Sequence, residues 1–187
     1  MNKKVIDIIN DENDLNFEIN NEELIINFFC DNQKNMNINI VQKENSTLVI
    51  NYSSLIKNDC TVNIKSDIKG NNNKCVINVH AIAIDGLGNF NVEAKANENT
   101  LNNDIVEDLK GVNEMGSICF IPVLEVDTNE AQANHFTTIG SYDKNELFYL
   151  MSKGIPENSA INLLKKSFMY NLFSDEFIDK IGGKTYE

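Results

Sequence analysis

The chain has 187 residues, 42% of them hydrophobic, and a formal net charge of −12. That length buries a sizeable core in one compact domain, and the acidic surface repels phosphate backbones, which excludes nucleic acid and anionic membranes as partners. The opening Met1-Asn2-Lys3-Lys4-Val5-Ile6-Asp7-Ile8-Ile9 turns acidic too soon for a signal peptide, and no run approaches the roughly 18 apolar residues of a membrane span, so a cytoplasmic chain is expected.

From about residue 14 to 100 short apolar pieces alternate with polar residues. They run in order through Leu15-Asn16-Phe17-Glu18-Ile19, Leu24 to Phe29, Met36 to Val41 and Leu48 to Tyr52. Val62, Ile64 and Ile68 follow, then Val76 to Val79, Ile82 to Ile84, and Phe90-Asn91-Val92. Period-two alternation with β-branched residues, separated by Asn, Asp and Gly, signals strands with one buried face. A recurrence of roughly 10–15 residues fits a sandwich, a barrel or a stacked β-helix, and periodicity does not choose among them. The segment from Asn97 to Gly116 reads either as a short helical turn or as a weak strand. A second β stretch is predicted from Ile118 to Ile139, with Pro122 at a strand start or on an edge because it cannot donate a ladder hydrogen bond.

The character changes at Asp143. Asp143-Lys144-Asn145-Glu146 has capping-box spacing, and Leu147, Phe148, Leu150 and Met151 supply a helical stripe that stops at Gly154. Pro156 suits the first position of a second helix, and a third is predicted from Ser174 to Gly182-Gly183. The expected division is a β body over 1–142 and a helical tail over 143–187.

Catalytic motifs are missing. There is no GxxxxGK[ST] phosphate loop, no GxSxG elbow and no HExxH helix, and Gly86-Leu87-Gly88 lacks the rest of a dinucleotide fingerprint and is read as a strand-to-strand turn. The cysteines Cys30, Cys60, Cys75 and Cys119 are far apart and form no CxxC, which argues against a disulfide framework or a structural zinc site. His80 is read as a partly exposed strand residue. From the residues alone, His135 is a hydrogen-bonded structural imidazole. The expectation is a non-enzymatic protein that works by docking partner proteins.

One region is more specific. Pro122-Val123-Leu124-Glu125-Val126, then Ala131-Gln132-Ala133-Asn134-His135-Phe136-Thr137-Thr138-Ile139-Gly140, then Leu147-Phe148-Tyr149-Leu150-Met151-Ser152-Lys153-Gly154-Ile155 resembles the C-terminal signature of the SufB/SufD family of iron–sulfur cluster assembly scaffolds. Ala81 to Gly88 resembles the family's core strand and turn less distinctively.

The resemblance implies a mainly β fold, a right-handed parallel β-helix (β-solenoid) core with a small C-terminal α-helical subdomain. It implies a SufC-type ATPase docked on the helices, with Leu147, Phe148, Met151, Ile155 and Phe168 as contacts. It also implies a SufB-like scaffold subunit, or a second copy, paired with the β stretch around His135. His135 then stands where a transient iron–sulfur cluster forms at the subunit interface, with no cofactor held firmly. Phe136 replaces the glutamate that follows this histidine in SufB-type chains, and Cys119 lies too close to Pro122 to take the role of the SufB cysteine. The chain therefore resembles a short SufD-like form lacking the N-terminal domain. Two alternatives stand beside it: a stand-alone iron or cluster-binding protein using His135 and Cys119, and a degenerate homodimeric member without assembly activity.

Overall fold

Strand pairing in the computed structural model, which describes residues 2–11 and 13–182, is parallel in every ladder, and each strand pairs with the strand two places along the chain. One sheet holds β1 (Asn2–Ile9), β3 (Glu22–Cys30), β5 (Thr47–Ile56), β7 (Lys74–Ala83), β9 (Asn103–Asn113) and β11 (Ala131–Gly140). The other holds β2 (Leu15–Ile19), β4 (Met36–Gln42), β6 (Cys60–Ile68), β8 (Leu87–Ala96) and β10 (Ser117–Val126). The chain thus crosses from sheet to sheet at every turn and climbs as a β-solenoid of about 4 turns, the expected architecture. Three helices follow: α1 (Lys144–Ser152), α2 (Glu157–Tyr170) and α3 (Asp175–Ile181).

The alternation read in the sequence places one residue in two inside the coil. Met36, Ile38 and Ile40 of β4 are buried, whereas Asn37 and Asn39 between them are not. Because the register is parallel, like residues stack in columns, and Ile26, Ile50 and Ile77 lie directly over one another inside the first sheet. Aromatic rings extend the core sideways. Phe28 stacks on Tyr52 at 4.6 Å, Tyr52 meets Phe90 edge-on at 6.1 Å, and the buried Tyr52 hydroxyl donates to Gln33 Oε1 at 2.5 Å.

The abundant asparagines have two structural uses. On the outer face Asn27, Asn51 and Asn78 form a ladder, each amide donating to the rung before it at 2.9–3.0 Å, with Asp7 as the last acceptor. At one corner Asn21, Asn45, Asn72 and Asn102 all take the left-handed conformation, with φ between 50° and 60°, and pass amide hydrogen bonds from turn to turn at 3.0–3.1 Å. Asparagine tolerates that conformation better than other side chains with a Cβ. Asn72→Ala is therefore expected to cost about 1–2 kcal/mol and Asn72→Gly less, as read by urea denaturation, because alanine loses both the ladder bond and the backbone tolerance.

Several local expectations are corrected. Val76 to Val79 and Ile82 to Ile84, read as separate pieces, belong to one strand, β7, which ends at Ala83, because nothing between them breaks the ladder. The ambiguous segment after Asn97 is the long strand β9, since Asn103, Ile105, Leu109 and Gly111 continue the inner columns. A further strand, β1, precedes the first one predicted. The edge placement expected for Pro122 holds: it lies within β10, an edge strand, where its missing N–H is harmless. Gly86 stands at φ +73°, with a Cβ position 2.6 Å from the Asn58 backbone, as a tight turn requires.

The helix starts follow their signals. Asp143 caps α1 by accepting from the Asn145 N–H at 2.7 Å, and Gly154 adopts φ +85° just past its end. Pro156 is the N-cap of α2 rather than its first residue, and Ser174 is the N-cap of α3. Gly182 closes α3; Gly183, expected to share that stop, lies outside the described residues.

Helices α2 and α3 lie across the outer face of the first sheet. Met169, Phe173, Phe177 and Ile181 pack with Phe29, Leu55, Ile82 and Val112 in a second apolar cluster. Lys180 pairs with Asp7 at 2.6 Å and Lys165 with Glu114 at 2.8 Å, which fastens this layer to the first and last parts of the coil.

Candidate functional site

A solenoid leaves unpaired strand edges at its ends. The C-terminal rim is formed by β10 and β11, each the last strand of its sheet. Most of β11 is exposed, and the rim carries apolar side chains in the open: Phe136 (59% exposed), Ile121, Val123 and Ile139. Bare backbone together with apolar side chains is a surface suited to pairing with another chain.

His135 sits on this rim and is exposed. It shares its face of β11 with Ala131 and Ala133, which pack on the core. Its register partner on β9 is Glu107. Glu107 was not anticipated from the sequence, because Asp and Glu are common throughout this chain and only the register shows which one points inward. It is fully buried, and neither carboxylate oxygen has a hydrogen-bond partner. Burial pushes its pKa up from 4.5 to about 8. The Cys75 thiol, also inside the coil, is pushed up to about 12, chiefly by burial. Cys119 alternates with the buried Ile118 and faces outward from β10, away from the interior that His135 borders. Among the described residues no group of three or more His, Cys, Asp or Glu side chains converges as a metal-binding cluster.

His80 is corrected. It shares the outer face with Asn78, as expected, but it is 1% exposed because α2 covers it. Its ring stacks on Phe168 at 4.5 Å, and Nδ1 donates to the Phe168 carbonyl at 2.7 Å. Nε2 is buried without a partner, and burial holds the imidazole below its ordinary pKa, so it is a neutral structural contact between trunk and helix.

The sequence-predicted docking residues divide into two sets. Phe148 (64% exposed) and Met151 stand open on α1, joined by Tyr149 (62% exposed). Leu147 and Ile155 are half-buried, and Phe168 turns its ring to His80 on the trunk. None of the residues of α1 is buried. A cleft of about 690 Å³ opens between α1 and α2, lined by Tyr149, Leu150, Leu163 and Leu164 with Asn145, Glu146 and Ser167 at its polar margin. Leu163 and Leu164 line it from α2, a placement that follows from the helix packing and was not anticipated from the sequence. No described helix is long and apolar enough to cross a membrane.

This arrangement, a parallel β-solenoid with an open rim and an appended helical layer, defines a class of coiled β proteins. The particular family follows from comparison. Residues 41–168 match the model of the SUF system FeS cluster assembly SufBD core domain, and the chain belongs to that family. It is 28% identical over 138 residues to an iron-sulfur cluster assembly SufBD family protein of Methanocaldococcus jannaschii, covering 71% of this chain and 43% of that protein. A SufBD family protein of Mycobacterium leprae is 40% identical over 55 residues, 29% of this chain and 14% of that one. The iron-sulfur cluster assembly protein SufD of Bacillus subtilis is 38% identical over 48 residues, 26% of this chain and 11% of its own length. The chain thus spans less than half the length of these relatives.

Proposed function

We propose that this chain is a non-catalytic, SufD-like scaffold subunit of the SUF machinery in the cytoplasm, docking a SufC-type ATPase through its helices and pairing with a SufB-like subunit through the β10–β11 rim. A second copy of this chain is the alternative occupant of the rim. The observation that carries the docking reading is α1 itself. A helix of nine residues with nothing buried is marginal in isolation, yet it presents Phe148, Tyr149 and Met151 beside an apolar cleft. Helices of this kind gain their stability by lying against a partner. The exposed apolar side chains and free backbone of β11 support the pairing in the same way, and His135 lies within that surface, where a transient cluster formed between subunits would find an imidazole ligand.

The test is capture of the ATPase by the full chain and by Phe148→Asp. Because Phe148 faces solvent, its replacement is expected to leave the unfolding midpoint nearly unchanged, within about 0.5 kcal/mol, while ATPase capture is lost. Undiminished capture by that variant would count against docking through α1.

A further inference from the structure

The two ends of the coil are built differently. The N-terminal rim is formed by β1 and β2, each the first strand of its sheet. Lys4 stands on the column that continues through Leu24, Leu48, Cys75 and Ile105, all of them buried. It shares its face of β1 with Ile6 and Ile8, so a charge occupies a rung that the later turns fill with apolar side chains or a thiol. Its ammonium lies 5.6 Å from the centre of the Phe17 ring on β2, which packs on the core. The Lys4 side chain therefore crosses the mouth of the coil from one sheet to the other, held by the attraction between a cation and a ring face. Lys3 stands beside it on the edge, exposed and paired with Glu23 at 3.3 Å. β2 is five residues long, against ten for β10 and β11. Two asparagine ladders also end here in carboxylates. On the first sheet Asn27 donates to Asp7 at 2.9 Å; on the second a ladder through Asn91, Asn63 and Asn37 ends on Asp14 at 3.0 Å. Each rung donates to the one before it, and a carboxylate has no proton to pass on, so neither ladder continues in kind past this end. The C-terminal rim is different. β11 contains no Lys, Arg, Asp or Glu, and β10 contains only Glu125 beside its edge proline.

We propose that the N-terminal end of the trunk is a guarded end: Lys4, lying across its mouth, keeps further strands from adding to β1 and β2, so the trunk pairs through its C-terminal rim alone. An edge strand offers a row of unpaired N–H and C=O groups to any other strand, and a short edge, edge lysines and a charge on an inward rung all discourage that pairing. A strand docked on β1 would take the Lys4 ammonium out of water, and a buried charge without a partner is costly. The consequence is one of stoichiometry. A body with pairing surfaces at both ends grows head to tail into fibres, whereas a body with one such surface stops at a pair. The guard thus limits the trunk to a single strand-pairing partner, whether that is a SufB-like subunit or a second copy. It follows from the side chains of β1 and β2 themselves and does not rest on the docking of the ATPase.

The experiment is sedimentation velocity of the purified full chain over a wide range of concentration, which reads its mass. Wild type is expected to stop at one copy, or at two where copies pair through the C-terminal rim. Lys4→Ile, which carries the apolar column to the rim, is expected to reach at least double the wild-type mass, because one newly opened rim joins two of whatever wild type forms. Lys4→Arg, which keeps the charge, should behave as wild type. Lys74→Ile makes the same exchange at an exposed site on β7, a strand with neighbours on both sides, and should also keep the wild-type mass. Lys4→Ser removes the charge without adding apolar surface; it is the second variant should the isoleucine form fold poorly, and the same doubling is expected of it. Growth of wild type beyond two copies, wild-type mass in both Lys4→Ile and Lys4→Ser, or equal growth of Lys74→Ile would each overturn the guard. Unchanged mass in those Lys4 variants alongside ATPase capture removes the guard alone, and doubling without ATPase capture removes the docking reading alone.

Discussion

Glu107→Gln is expected to make the metal-free protein more stable, by a margin that grows from almost nothing at pH 5 to a few kcal/mol at pH 9. Folding holds the Glu107 carboxyl protonated up to about pH 8, whereas in the unfolded chain it ionises near 4.5. Below pH 4.5 both states carry the proton and the residue exacts no ionisation penalty. Between 4.5 and 8 the unfolded chain binds fewer protons than the folded one, so stability falls as pH rises, by about 1.4 kcal/mol for each pH unit. Above 8 both states are ionised and the full penalty stands, with a ceiling of roughly 5 kcal/mol. Glutamine keeps the shape and removes the charge. Other ionisable groups are common to both proteins and cancel in the difference. Urea denaturation in chelator at several pH values measures it. A difference that stays flat from pH 5 to 9 would show that the carboxylate is paired or solvated.

The second large effect concerns the helical layer. Phe177 is 1% exposed, contacts Phe173 at 4.7 Å between ring centroids, and belongs to the cluster that covers Phe29, Leu55, Ile82 and Val112. Phe177→Ala is expected to destabilise the protein by about 3–5 kcal/mol, the usual range for truncating a buried aromatic side chain. Because the same cluster is built from sheet and helix residues, the loss should appear in one transition. Helical circular dichroism and tyrosine fluorescence, with Tyr52 in the trunk and Tyr170 on α2, should give the same midpoint. Early melting of the helical signal at low cost would mean that the helices fold apart from the sheet. The same packing explains why point changes on α1 test docking better than removal of residues 143–187. That deletion uncovers Phe29, Leu55, Ile82 and His80 as well as removing the docking surface.

Much of the strand pattern was legible because burial in a coil imposes a period of two, and Leu15 to Ile19 or Met36 to Val41 display it without knowledge of their neighbours. The segment after Asn97 was harder. Glu107 breaks its apolar alternation, so a strand whose one anomalous residue points inward reads as weak. His80 shows the opposite difficulty. Its strand face was correctly placed with Asn78, but its burial depends on Phe168, 88 residues later.

By itself the sequence determined the succession of short strands, the change to helices at Asp143, and the family to which residues 122–155 point. These are set by local propensity, by period and by motif spacing, all carried by neighbouring residues. Only the tertiary structure decided which residues share a column and which face of the trunk the helices cover. Register between strands 24 to 30 residues apart is fixed by the packing of the whole coil, so the placing of Glu107 beneath His135 is written in no single stretch of chain.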